Sequence, residues 1–283
     1  MRWGGGRRSG NIEDRRGMSG GAVGGLGAGG VVLALIGYFV FGIDPSTTLN
    51  AVNAVSPGQQ QEAGEIGQPK DEGGKFVDVV STSVDDVWTQ VFQSKGERYQ
   101  PPAGVVLYDQ ATGTGCGTGQ AAMGPFYCPS DQKVYLDLSF WNELETKFGA
   151  QGEAARAYVI AHEIGHHVQH LTGQTERAER MGARGAESGS VRLELQADCF
   201  AGVWAARASQ VSGGAVSLDP RDIEDGLRAA SAVGDDTLQE QTQGRVAPDS
   251  FTHGTSAQRM RWFKAGVSAA DPAACDTFKA AQL

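Results

Sequence analysis

Twelve consecutive residues, Tyr158-Val-Ile-Ala-His-Glu-Ile-Gly-His-His-Val-Gln169, constrain this chain more than any other stretch. Apolar residues at 158–161, 164 and 168 describe a buried helix, and His162, Glu163 and His166 stand inside it. Residues four apart on a helix share a face, so both imidazoles can point at one metal ion. Glu163 follows the first histidine. Its carboxylate is placed to reach a water on such an ion rather than to bind the ion itself. The alternative, a His-rich surface helix, would carry charges where Val159, Ile160 and Ile164 stand. His167 and His170 read as peripheral, because zinc catalysis needs an open coordination position more than a further ligand.

Two histidines need a third protein ligand. Downstream, Val191 to Trp204 also reads as a helix, with Leu193, Ala197, Phe200, Ala201 and Trp204 at helical spacing. Glu194 and Asp198 are four apart on it. An acidic pair on an apolar helix is costly to bury without partners, and a metal with its histidines supplies them. Glu194 then completes a His-His-Glu site for one Zn²⁺. Asp198 accepts the free ring N–H of a ligand histidine. Exchange of those two roles stays open, as does a solvated acidic face.

These motifs give the chain a family resemblance. It resembles the predicted neutral zinc metallopeptidases of bacteria, a group with one amino-terminal membrane span, and its active-site pattern is similar to the gluzincin branch. The residues that carry the resemblance are Met1-Arg-Trp3, Gly124-Pro-Phe-Tyr-Cys-Pro129, Ala157 to Gln169, Glu194-Leu-Gln-Ala-Asp-Cys199, Gly234-Asp-Asp236, Phe251-Thr-His-Gly-Thr-Ser256 and Cys275-Asp-Thr-Phe278. The resemblance implies peptidase activity on peptide or protein substrates. In related gluzincins a downstream histidine helps to hold the developing oxyanion, which makes His253 the candidate here, with Arg259 orienting it or binding substrate. A loop histidine capping the next helix is the alternative. Tyr127 and Tyr135 are weaker donor candidates. The strand around Val134 to Leu138 either pairs with an extended substrate or is internal.

Composition divides the chain. Residues 1–75 hold 19 of the 41 glycines and seven charges of each sign, so the whole net charge of −9 lies on residues 76–283. An acidic domain is a poor partner for nucleic acid. Residues 22–43 carry no charge and are long enough to span a bilayer as a helix. Arg2, Arg7, Arg8, Arg15 and Arg16 precede them, which predicts a cytoplasmic segment 1–21 and an extracytoplasmic remainder. A cleaved signal peptide is the rival reading. Gly21, Gly25 and Gly29 have the spacing that packs two spans into a homodimer. Residues 44–75 read as a flexible tether.

Four cysteines in an outward-directed chain suggest disulfides: Cys116 with Cys128 across a short Gly-rich loop, and Cys199 with Cys275. Free thiols are the alternative. Residues 76–283 suffice for one metallopeptidase domain. Helices are expected over 76–92, 139–148, 152–171, 188–211, 220–233 and 255–267, with strands at 104–109 and 133–138. Residues 113–124 read as loop and 175–190 as a polar connection. This is an α+β, mostly helical, zincin-like fold with a small sheet behind one transmembrane helix. The resulting expectation is a membrane-anchored zinc peptidase with Glu163 as general base. Its rivals are a catalytically silent, zinc-stabilised envelope protein and a zinc amidase acting on cell-wall peptides.

Overall fold

The computed structural model describes residues 1–17, 64–146 and 149–283. The charge-free run 22–43 lies outside the described residues, as does most of the tether. Among the described residues no helix is long and apolar enough to cross a membrane.

A five-stranded mixed sheet lies beside a set of packed helices. Its strands are β1 (Ile12–Asp14), β2 (Glu65–Gly67), β3 (Gly104–Tyr108), β6 (Phe126–Cys128) and β7 (Lys133–Asp137), in the order β2-β1-β3-β7-β6. β1, β3 and β7 run parallel, and the two edge strands are antiparallel to their neighbours. Alternation along the strands divides the side chains between two faces. Val105, Leu107, Val134 and Leu136 join the main core. Val106, Tyr108, Tyr135 and Cys128 form a second cluster with Phe126.

The main core is closed by α1 (Glu72–Ser94), α3 (Glu153–Leu171), α5 (Gly189–Val211), α6 (Pro220–Ala232) and α8 (Ser256–Ala269), with the short α2 (Phe140–Thr146) and α4 (Gln174–Glu179) between them. Ile160 and Ile164 of α3 are fully buried, each contributing about 2 kcal/mol. Glycines set how closely the helices approach. A Cβ on Gly165 would stand 3.3 Å from Ala197 Cα, one on Gly202 2.1 Å from Phe263 O, and one on Gly266 1.9 Å from Cys199 O. The backbones of α3 and α8 therefore both lie against α5, the helix that carries Glu194 and Asp198.

Several expectations are corrected. Residues 113–124 are not irregular. They contribute to the hairpin of β4 (Ala111–Thr114) and β5 (Gly117–Gln120), where glycine is needed because a Cβ on Gly119 would meet the Phe126 ring at 2.7 Å. The 133–137 strand is internal, flanked by β3 and β6. The polar connection contains α4, and a further helix, α7 (Asp235–Gln243), follows α6. The folded body also begins earlier than residue 76. Residues 1–17 are built into it through β1, and residues 64–75 supply β2 and the start of α1, whose N-terminus is capped by Asp71. Both expected disulfides are present, with Cα separations of 5.8 Å for Cys116–Cys128 and 5.6 Å for Cys199–Cys275.

Candidate active site

α3 and α5 bring to one point three side chains that could hold a metal ion. His162 Nε2 lies 3.1 Å from His166 Nε2 and 3.1 Å from Glu194 Oε2, and His166 Nε2 lies 3.5 Å from Glu194 Oε1. The far nitrogens are held elsewhere. His162 Nδ1–H donates to Asp198 Oδ1 at 2.9 Å. His166 Nδ1–H donates to Gln169 Oε1 at 2.8 Å, while the Gln169 amide N–H donates to Leu193 O and Gln196 Oε1. This network assigns the tautomers: both rings carry their proton on Nδ1 and present an Nε2 lone pair. Two lone pairs and a carboxylate then face one another with no donor of their own between them. That arrangement fits a cation, and the nitrogen and oxygen donors suit zinc. The same demand shows in protonation. Burial alone would lower the His162 pKa, but Asp198 and Glu194 outweigh it and raise it to about 10, so a proton competes with a cation for the Nε2 lone pair. Burial pushes Glu194 upward, yet the neighbouring histidines hold it well below the usual range.

Asp198 is fully buried and does not join the three ligand atoms. It accepts from His162, from Tyr158 Oη–H and from two nitrogens of Arg259, Nε and Nη2, each at 2.9 Å. Burial raises its pKa, but the Arg259 guanidinium and His162 bring it down to about 2. The sequence offers Arg259 as a residue that orients His253 or binds substrate. Arg259 instead holds Asp198 from α8, donates to Val233 O and approaches Glu194 to 3.9 Å.

Glu163 is buried on α3 beside the first histidine, and no described residue donates a hydrogen bond to its carboxylate. His253 stands in the loop before α8, its side chain 44% exposed. It does not cap that helix: Thr255 and Gln258 form the capping box. The His253 loop is organised by Asp235, whose Oδ2 accepts the backbone N–H groups of Thr252, His253 and Gly254 at 2.8, 2.6 and 2.9 Å. His253 Nδ1 lies 3.2 Å from Asp235 Oδ1. Partial desolvation lowers the His253 pKa, but Glu194 and Asp235 together raise it above its ordinary value. Asp236 accepts from Ser256 N and Oγ, so Gly234-Asp-Asp236 anchors the whole His253 segment. Sequence reasoning missed this function of Asp235, which is 18 residues from His253 and obeys no spacing rule.

The remaining candidates are engaged elsewhere. His167 is fully buried; its Nε2–H donates to Gln100 O and its Nδ1 accepts from Tyr127 Oη–H at 3.0 Å. Burial lowers its pKa to about 4. It thereby clips edge strand β6 to the metal helix and leaves Tyr127 no proton for an oxyanion. Tyr135 Oη–H donates to Asp131. His170, though one turn beyond His166, is outside the ligand cluster.

The chain is 48% identical over 293 aligned positions to the Uncharacterized protein YpfJ of Escherichia coli (strain K12), covering 98% of this chain and 99% of that one. It is 44% identical over 260 positions to the Uncharacterized protein Mb2605 of Mycobacterium bovis, covering 86% of each. No solved structure matches significantly. A family model described as "Putative neutral zinc metallopeptidase" matches residues 1–278, and the chain belongs to that family.

Proposed function

We propose that this chain is a zinc-dependent peptidase in which His162, His166 and Glu194 hold the ion. The observation that carries the reading is the convergence of two Nε2 lone pairs and a carboxylate, with both Nδ1 atoms pinned by Asp198 and Gln169. Bound zinc supplies Lewis acidity, lowering the pKa of a water and polarising the scissile carbonyl. Glu163 takes the proton of the attacking water and passes it to the departing amine. His253, aimed by Asp235, donates to the oxyanion that develops on the carbonyl. β6, the sheet edge clipped to α3, offers backbone groups to an extended peptide. Two disulfides favour an oxidising compartment, outside the cytoplasm.

A catalytically silent zinc protein would have no use for Glu163, a buried acid to which no described residue donates a hydrogen bond. Metal analysis tests the ligand set. The intact protein should hold about one zinc per chain, and Glu194→Ala should lose most of it. Full retention by Glu194→Ala would remove that residue from the site. A mixed peptide library and a cell-wall digest, each incubated with the zinc-loaded protein, separate a general peptidase from a cell-wall amidase.

A further inference from the structure

The charge-free run at 22–43 suggests a single membrane crossing with residues 1–21 and the domain on opposite sides. The described flanks of that run contradict such an arrangement. β1 is the second strand of the sheet, between β2 and β3, with Ile12 fully buried. β1 and β2 are antiparallel neighbours, Asp14 opposite Glu65, so the chain leaves and returns one strand spacing apart. The returning residue touches the departing one: a Cβ on Gly64 would lie 2.6 Å from Asp14 O, and Gly64 N–H donates to Glu13 Oε1 at 3.1 Å. On the outgoing side Gly17 N–H donates to Asp109 Oδ2 at 2.8 Å. A single crossing would hold residues 17 and 64 apart by a hydrocarbon layer of about 30 Å.

The arginines tell the same story. Arg7 pairs with Asp86, Arg8 with Asp78, Arg15 with Glu13, and Arg16 with Asp14 and Asp71. Arg15 also donates to Thr112 Oγ1 and Gly113 O of the hairpin, and Arg2 to Ser217 Oγ. Arg7, Arg8 and Arg16 are thus matched by carboxylates beyond residue 17, and Arg15 is held by Glu13 of its own strand. They are not a free cluster that would retain the amino terminus in the cytoplasm.

We infer that residues 1–17 and residues 64–283 lie on one side of any membrane the protein meets, so that contact with a lipid bilayer is made from that face. The inference rests on strand pairing and ion pairs and is independent of zinc. The full-length protein in bacterial membranes tests it. Gly4→Cys and Glu97→Cys both place a thiol at an exposed position, and an added Cβ at Gly4 meets nothing within 4 Å. Labelled by a membrane-impermeant maleimide, the two variants should behave alike in intact spheroplasts and alike after permeabilisation. Labelling of one in intact spheroplasts and of the other only after permeabilisation overturns the inference. A second variant, Asp14→Cys with Glu65→Cys, places two thiols across the β1–β2 pair. Oxidation of unextracted membranes should join them, as read by peptide mapping. A bond that forms only after detergent extraction also overturns it.

Discussion

Removing Arg259 should unfold the protein more readily than removing almost any other charge. The guanidinium is 4% exposed and makes two 2.9 Å bonds to Asp198, whose side chain has no exposed surface. Arg259→Ala leaves that carboxylate buried with only Tyr158 and His162 as donors, and orphans Val233 O. Losing one partner of a buried ion pair costs about 3–5 kcal/mol, a large part of the roughly 5–15 kcal/mol that holds a typical domain together. Urea titration of the zinc-free protein measures the loss. Arg259→Lys should recover only part of it, since an ammonium cannot reproduce the two-nitrogen fork. Asp198→Asn combined with Arg259→Ala should be less destabilised than the sum of the single variants, by about 2 kcal/mol, within the range seen for residues in one network. A loss under about 1 kcal/mol for Arg259→Ala, or strict additivity in the double variant, would refute the claim that Arg259 holds the Asp198 charge.

Two further outcomes follow from the packing. Gly266→Ala gains about 1 kcal/mol of helix propensity but drives a Cβ into Cys199 O, 1.9 Å away, so it should lower the melting temperature; a rise would show that α5 and α8 separate freely. Glu13 is pushed up by burial, but Arg15, Lys133 and Gly64 N–H bring its pKa from 4.5 to about 2. A depressed folded-state pKa contributes stability that is present above the unfolded value and lost as pH falls, here between about pH 5 and pH 2. Glu13→Gln should therefore flatten the acid limb of a urea-midpoint-against-pH curve, and an unchanged limb would place that pH dependence elsewhere.

The metal helix was legible because its signal is local: His162 and His166 are one turn apart, and the apolar residues around them state its burial. Glu194 and Asp198 were legible for the same reason, since burying two acids on one helix demands partners. What was not legible is long-range. Arg259 reaches Asp198 only because Gly202 and Gly266 let α5 and α8 approach, and no local pattern announces which helices touch. Asp235 supports the His253 loop through backbone N–H groups, which carry no sequence signature. β1 is three residues long, between Asn11 and Arg15, so composition marks residues 1–21 as an arginine- and glycine-rich cytoplasmic segment although pairing makes Ile12–Asp14 a strand of the sheet. The β4–β5 hairpin was hidden because glycine normally breaks strands; here Gly119 makes room for Phe126.

The claim that this is an enzyme, not a zinc-bound scaffold, rests on Glu163. Glu163→Gln keeps the side chain's shape and removes its basicity. Zinc content and peptide-library hydrolysis should be measured together on parent and variant, with library digestion read by mass spectrometry. The account predicts equal zinc and a loss of hydrolysis of about 10²–10⁴-fold, the range for general acid–base catalysis. Equal hydrolysis by zinc-matched parent and variant would contradict it.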